Sequence, residues 1–286
     1  MPLISGLSVI AGNYDALLCD VWGVLHNGRE AYPGVADALG KFRAKGGHVL
    51  LLSNAPRPSG TLPAMFERMG IPHDVYDGIL TSGDATKTYL AGLARGARCY
   101  YIGPERDAVL FEDTGVKRGG EADAEFILAT GPFNDEEEGP EDYREQFTRL
   151  AARDLPFICA NPDIIVERGG KHIYCAGALA QLYGQLGGEI IYFGKPHLPI
   201  YSIARKRLGE FTRGALTDGR ILAVGDGPLT DIKGANEAGI DALFITGGIA
   251  AGDCGPTPDS PEEHRVARVL ERAGIHAAGA MARLVW

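Results

Sequence analysis

Asp20 closes the apolar run Leu17-Leu18-Cys19, and Asp226 closes a second run, Ile221–Gly225, with Asp231 following in GDGPLTDIKGA. Between them in the chain, Ser53-Asn54 follow Val49–Leu52, and Lys195 follows Ile190–Phe193 after one glycine. Taken singly, these residues have ordinary structural roles. A strand-terminal aspartate caps a helix, Ser-Asn is turn chemistry, and a lone lysine is a surface charge. Four such pieces in succession, each just after an apolar run, are not accounted for by caps and turns. Ligands in open α/β sheets collect at the carboxyl ends of strands, where all these groups are expected to fall.

The residue types suit phosphoryl chemistry. A carboxylate nucleophile splits a difficult hydrolysis into two steps through a covalent aspartyl intermediate. The transferring group needs its equatorial oxygens held and neutralised, which Ser53, backbone amides and Lys195 can do. Asp20 and Asp226 together suit a hard Mg²⁺ ion, which takes a few carboxylates plus phosphate and water. Without a cation, a carboxylate approaching a phosphate dianion is repelled. GDGPLT is not a dinucleotide fingerprint, because its glycines lack the G-x-G-x-x-G spacing.

The elements that must position these groups alternate between strand and helix. Ala16–Trp22 and His48–Asn54 read as buried strands, with helices over Gly34–Gly46 and Gly60–Gly70. The same grammar returns late in the chain. Glu189–Gly194, Arg220–Asp226 and Asp241–Gly248 read as strands, and Pro199–Phe211, Thr230–Gly239 and Pro261–Gly274 as helices. This is the pattern of a parallel sheet covered by helices. The middle has its own strands in RCYYIG, AEFILAT and LPFICAN, and helices over Thr86–Ala94, Asp142–Arg153 and Ala176–Leu186. Its acidic run Asn134–Glu145 reads as a solvated loop and helix start. From Asp20 to Ser53 there are 33 residues, room for a turn, a helix and a strand only. From Ser53 to Lys195 there are 142, far more than the core needs, so a second domain is inserted there.

Composition narrows the partners. A chain of 286 residues with 45% hydrophobic and 23% charged residues has the balance of a globular protein with a sizeable core. A net charge of −9 argues against nucleic acid or an anionic membrane surface as partner. The five cysteines are scattered and form no C-x-x-C pair, so neither a disulfide framework nor a zinc site is expected. The first residues show no basic segment leading into an apolar one, and no later run is long enough for a membrane span. A cytoplasmic protein is the expectation.

The motif set resembles the haloacid dehalogenase-like (HAD) hydrolase superfamily, whose four motifs recur in this order. Asp20–Ala55, DVWGVLHNGREAYPGVADALGKFRAKGGHVLLLSNA, further resembles its class IIA members, the NagD-like sugar and nucleotide phosphatases. TSGDAT (Thr81–Thr86), NPD (Asn161–Asp163) and AGAL (Ala176–Leu179) resemble the cap segments of that class. The likeness runs over almost the whole chain and is most specific at GKP and VGDGPLTDIKGANEAG. It implies an α/β fold: a Rossmann-like, doubly wound parallel-sheet core over 1–81 and 189–286, and an inserted C2-type α/β cap over 82–188. It also implies a Mg²⁺-dependent phosphohydrolase acting on a small phosphorylated metabolite, with self-association into a homo-oligomer left open. By motif, Asp20 is the nucleophile and a metal ligand, Trp22 lends its backbone carbonyl to the metal, and Asp226 is the third protein ligand. Asp231 stands behind them or reaches the ion through water. Ser53 and Lys195 bind the phosphoryl oxygens, and Asn54 shapes that loop beside the substrate. Asn161, Asp163, Ala176 and Gly177 fall in the region that closes over the substrate.

One position departs from the pattern. Phosphatases of this superfamily carry an Asp two residues after the nucleophile, where this chain has Trp22. An indole neither donates a proton usefully nor accepts one. General acid–base help is worth roughly 10²–10⁴ in rate, and its loss falls hardest on alkyl esters, whose alkoxides leave badly. Three readings stay open on sequence alone. The protein is a phosphatase in which His26, His197 or a substrate hydroxyl stands in, or whose leaving groups need no acid. Alternatively it runs dehalogenase- or phosphonatase-like chemistry on the same carboxylate, or it binds a phosphorylated metabolite without turnover. His26 and His197 also read as hydrogen-bonded loop residues, and Arg57 either as an aid to an anionic substrate or as a solvated loop arginine.

Overall fold

The computed structural model describes residues 2–168, 171–212, 214 and 216–286, with the backbone alone at Glu167 and Asp218. The chain divides into two compact units. The first comprises residues up to Ser53, Leu62–Leu80 and Leu198–Trp286; the second comprises Asn54–Thr61 and Thr81–His197.

Strands β1 (Ala16–Cys19), β2 (His48–Ser53) and β3 (Gly78–Thr81) come first in the chain. The second unit adds β4 (Arg98–Ile102), β5 (Lys117–Gly119), β6 (Phe126–Ala129), β7 (Phe157–Cys159), β8 (Ile165–Arg168), β9 (Lys171–Tyr174) and β10 (Ile190–Tyr192). The chain then returns to the first unit for β11 (Ile221–Gly225), β12 (Asp241–Ile245) and β13 (Gly279–Met281). The first unit's sheet has the order β13-β12-β11-β1-β2-β3. The pairs β1–β2, β1–β11, β11–β12 and β12–β13 are all parallel. Strand order therefore reverses between β1 and β11, which makes a doubly wound sheet with its switch point there. Both strands are buried along their whole length, as a central strand covered on two faces requires. Leu17, Leu39, Phe42, Val49, Leu51, Phe66, Val224 and Leu243 pack into one cluster around this sheet.

The second unit repeats the architecture on a smaller scale. Its parallel sheet has the order β10-β7-β6-β4-β5, and β8 and β9 form an antiparallel pair beside it. One strand is reassigned. Ile190–Tyr192, expected as the first strand of the returning core, instead pairs with Phe157–Cys159 in this sheet. Phe193 N donates to Cys159 O at 3.0 Å and continues that pairing. The second unit thus extends to His197 and also takes in Asn54–Thr61, beyond the expected boundaries at 82 and 188. A short apolar run announces a strand but carries no mark of which sheet it joins.

The helices lie close to their expected positions, at Val35–Ala44, Ala176–Gln185, Leu198–Phe211 and Glu263–Ala273. The helix expected from Thr86 begins at Ser82, because Thr81 and Asp84 form a reciprocal capping box. Thr81 Oγ1 accepts from Asp84 N at 2.9 Å and Asp84 Oδ2 from Thr81 N at 3.1 Å. The acidic run is less solvated than expected, since Asp135 pairs with both Arg106 and Arg168. All five cysteines are buried free thiols. Among the described residues, no helix is long and apolar enough to cross a membrane.

One carboxylate ties down the start of β2, whose far end carries Ser53. Asp77 Oδ1 accepts from Arg43 Nη2 at 2.6 Å and Oδ2 accepts from Val49 N at 2.7 Å. Its side chain is 14% exposed, so removing it leaves the Val49 amide unpaired and Arg43, among the described residues, with only its bond to the Asp74 carbonyl. Asp77→Ala is expected to lower the unfolding free energy by about 2–4 kcal/mol in urea titrations. A loss under about 0.5 kcal/mol, the range of surface substitutions, would show that this clamp is not needed.

Candidate active site

The register of β1 against β11 builds the centre of the site. Cys19 lies opposite Val224, so Asp20 and Asp226 leave adjacent parallel strands almost side by side. Asp20 N still donates to Val224 O at 2.8 Å, which fixes where the Asp20 side chain departs. Asp231 comes from the turn Pro228–Ile232, a single π-helical turn of the kind that recurs at functional sites. One carboxylate oxygen from each of Asp20, Asp226 and Asp231 lies within 4.8 Å of the others, and all three residues are buried. Among the described residues this is the one group of three or more acidic, histidine or cysteine side chains placed to share a metal ion.

Such a group is costly alone. Two like charges at that separation repel by about 3–4 kcal/mol even at an effective dielectric of 20. The surrounding backbone offsets part of this. Ile249 N donates to Asp226 Oδ2 at 2.6 Å, and Gly227 N to Asp231 Oδ2 at 3.0 Å. Two glycines give Asp226 its space: a Cβ on Gly23 would lie 2.1 Å, and one on Gly248 1.9 Å, from its Oδ2. Gly23 also has φ +90°, a conformation that favours glycine. A divalent cation fits this donor set, since hard, buried, mutually repelling carboxylates are what it neutralises. Gly248, Ile249 and Gly227 were not singled out from sequence. A glycine pair after a strand reads only as a turn.

Trp22 is half-buried, and its indole lies against its own loop. Its ring meets His26 edge-on, with centroids 5.3 Å apart and planes at 71°. A Cβ on Gly28 would come within 2.6 Å of the six-membered ring. His26 Nδ1 accepts from Gly28 N at 3.0 Å, while its Nε2 is buried and has no hydrogen-bond partner among the described residues. His26 is fully buried, and burial pushes its pKa down from 6.5 to about 4. It is therefore a neutral imidazole at pH 7 and unsuited to donate a proton as a stand-in acid. His197, the other candidate, stacks on Tyr192 with centroids 4.4 Å apart.

Ser53 is buried at the carboxyl end of β2, the neighbour of β1. Asn54 and Lys195 come together in the second unit, in a reciprocal clasp. Lys195 N donates to Asn54 Oδ1 at 2.8 Å, and Asn54 Nδ2 donates to Lys195 O at 3.0 Å. Asn54 Nδ2 also donates to Asp163 Oδ1 at 2.8 Å. Its amide is thus engaged in fixing the GKP and NPD turns. Lys195 itself is 3% exposed, unlike a surface lysine. Gly194, at φ +125°, leaves room for Ser82 Oγ and Asn54 Oδ1, which a Cβ would meet at 2.1 and 2.6 Å. Asn161 is buried beside Asp163, whose N–H donates to Asn161 Oδ1 at 3.1 Å.

Gly248→Ala drives a methyl into Asp226; if the cluster holds a divalent cation, calorimetric titration with Mg²⁺ is expected to show binding weakened by about 10–100-fold, the range seen when ligand supports are lost, and unchanged affinity would separate Asp226 from the ion. His26 carries a lowered pKa, so its contribution to stability is complete above pH 6.5 and fades as pH falls toward 4. Up to about 3 kcal/mol is at stake, and His26→Phe should flatten the fall in urea midpoint between pH 6.5 and 4. An equally steep fall in the variant would assign it to other groups.

Comparison with known proteins agrees with this architecture. Residues 17–117 match the family model described as haloacid dehalogenase-like hydrolase, and residues 192–273 match a second, described as HAD-hydrolase-like. The ribonucleotide monophosphatase NagD of Escherichia coli K12 is 26% identical over 245 residues, covering 83% of this chain and 89% of NagD. A crystal structure of a haloacid dehalogenase-like hydrolase from Brucella suis 1330 superposes with a TM-score of 0.87 at 41% identity, over 99% of this chain and all of that one. The glycerol phosphate phosphatase of Mycobacterium tuberculosis, solved in complex with magnesium, superposes with a TM-score of 0.64 at 26% identity, over 86% of this chain and 71% of that one. With carboxylates gathered at the switch point of a parallel sheet and a relative alike along its whole length, the chain belongs to the class IIA branch of the haloacid dehalogenase-like hydrolases.

Proposed function

We propose that the protein is a divalent-metal-dependent phosphatase of small phosphorylated metabolites, acting through an aspartyl phosphate on Asp20 and selective for good leaving groups. The buried Asp20–Asp226–Asp231 cluster carries this reading. The phosphatases among the relatives, NagD and the glycerol phosphate phosphatase, support the substrate class.

Asp20 and Asp226, with the Trp22 carbonyl, would hold Mg²⁺, and Asp231 would stand behind them. When bound, the ion supplies neutralisation of the carboxylates and of the phosphoryl oxygens. Asp20 attacks phosphorus, the bond from phosphorus to the leaving oxygen breaks, and water then hydrolyses the aspartyl phosphate to release inorganic phosphate. Ser53 and Lys195 bind the phosphoryl oxygens, and Asn54 keeps the Lys195 turn in place through its two hydrogen bonds to the main chain. The second unit, which carries the cap segments of this class, would set specificity.

Trp22 decides the leaving group. Its indole packs on His26 and Gly28 and brings no proton to a departing alkoxide. The neutral, buried His26 does not replace the missing acid. Aryl and acyl phosphates, whose leaving groups depart as stable anions, are the substrates this site can turn over best. A dehalogenase-like reading gains nothing from three buried carboxylates poised to share a cation, and a binding-only reading, which would use the cation, leaves Asp20 without a nucleophile's task.

Phosphate release tests this directly. With Mg²⁺, aryl and acyl phosphates should be hydrolysed at least about 10²-fold faster than sugar phosphates. EDTA should stop the reaction, and Asp20→Asn should reduce it by about three orders of magnitude or more. Trp22→Asp should raise turnover of alkyl esters. Sugar phosphates hydrolysed as fast as aryl phosphates by the native protein would refute the part assigned to Trp22. Release that ignores EDTA and Asp20→Asn would refute the whole reading.

A further inference from the structure

The second unit has a switch point of its own. In its sheet, β10-β7-β6-β4-β5, the chain steps from β4 outward to β5 and then returns to the other side of β4 as β6. Strand order reverses between β4 and β6, and a parallel sheet opens a ligand crevice at the carboxyl ends of such a pair. In the first unit the equivalent position holds the carboxylate cluster. Here it holds arginines. The turn after β4 carries Arg106 and Asp107, and the turn after β6 leads to Asp135. Arg57 and Arg168 converge on the same two acids. Arg57 Nε lies 3.5 Å from Asp107 Oδ1, Arg168 Nη2 lies 3.1 Å from Asp135 Oδ2, and Arg106 meets that same Asp135 oxygen.

Charge does not balance in this cluster. Three guanidiniums face two carboxylates, leaving a surplus of one positive charge with both acids ionised. Asp107 is buried and bonded to Thr130, and burial pushes its carboxyl above the usual range despite Arg57 and Arg106. Asp135 is held below it, against burial, by Arg168 and Arg106. A tether between loops needs one guanidinium per carboxylate; here Asp135 takes two. The side chains of Arg57, Arg106 and Arg168 are 40%, 48% and 37% exposed, and each guanidinium has five N–H donors in a planar fork that matches a carboxylate. The two acids pre-orient these forks while leaving donors directed to solvent.

We propose, resting on the phosphatase reading, that this crevice binds a carboxylate at the far end of the substrate, with Arg106 and Arg168 as specificity residues and Arg57 beside them. A surplus of one charge matches a carboxylate better than a phosphate dianion. Lys195 follows β10 on the same edge, and two and a half strand spacings separate β10 from the crevice, on the order of 10 Å. The substrate class is therefore a phosphate monoester that carries a carboxylate at about that distance from phosphorus.

Two esters matched in leaving group make the test: the phosphate of 3-(4-hydroxyphenyl)propanoate and that of its uncharged propanamide. In the native protein KM for the carboxylate should be about tenfold lower, and this ratio should fall to near one in Arg106→Gln/Arg168→Gln. Equal KM values in the native protein, or a preference that survives in the double variant, would overturn the proposal. Calorimetric titration of both esters into Asp20→Asn protein needs no turnover and separates the two readings. A carboxylate preference in binding without phosphate release from native protein upholds the crevice and overturns the phosphatase. Phosphate release with no preference in either assay does the reverse.

Discussion

The repulsion among three buried carboxylates is the constraint around which the first unit is organised. Asp20, Asp226 and Asp231 offer oxygens within 4.8 Å of one another, in a place where water screens them poorly. Such a cluster persists only if strand register holds the side chains together and if donors and a cation take up the charge. The Cys19–Val224 register supplies the first condition. The amides of Ile249 and Gly227 supply part of the second. Gly23 and Gly248 then make sense as the absence of side chains where Asp226 must stand. Each local feature answers a demand set by the cluster, and on the proposed reading a divalent cation completes it.

The same topology appears twice with opposite electrostatics. Both sheets reverse strand order once, the first between β1 and β11 and the second between β4 and β6. One switch point gathers carboxylates and the other arginines. A negative cluster suits a metal ion and the phosphoryl group it neutralises; a positive one suits an oxyanion. Asn54 links two turns of the second unit, since its single amide contacts the Lys195 main chain and Asp163.

Much of this was legible in the sequence, and the remainder has identifiable causes. Apolar runs ending in Asp20, Ser53 and Asp226 placed β1, β2 and β11 correctly, because a fully buried parallel strand is nearly continuous in hydrophobicity. The alternation of strands and helices gave the α/β class. Ile190–Tyr192 was assigned to the wrong sheet because pairing partners are chosen by tertiary packing, and a three-residue strand carries too little pattern to reveal them. The helix at Ser82 could have been found from the Thr81–Asp84 capping signature. Gly248 and Ile249 could not, because their importance lies in where Asp226 points. The acidic run hid Asp135, which differs from its exposed neighbours only in facing two arginines contributed from distant parts of the chain.

On the proposed reading, Trp22 leaves the site's binding parts intact and narrows only the leaving groups it can release. The carboxylates, Ser53 and Lys195 are present, and the indole is accommodated by Gly28 and His26 rather than by displacing the cluster. The central claim is that Asp20 takes the phosphoryl group onto itself. Rapid mixing of the native protein with Mg²⁺ and a radiolabelled aryl phosphate, acid quenching within a turnover and peptide mapping test it most directly. The account predicts label on the peptide containing Asp20, lost on a chase with unlabelled substrate. Phosphate release at full rate with no label on the protein at any quench time would contradict it.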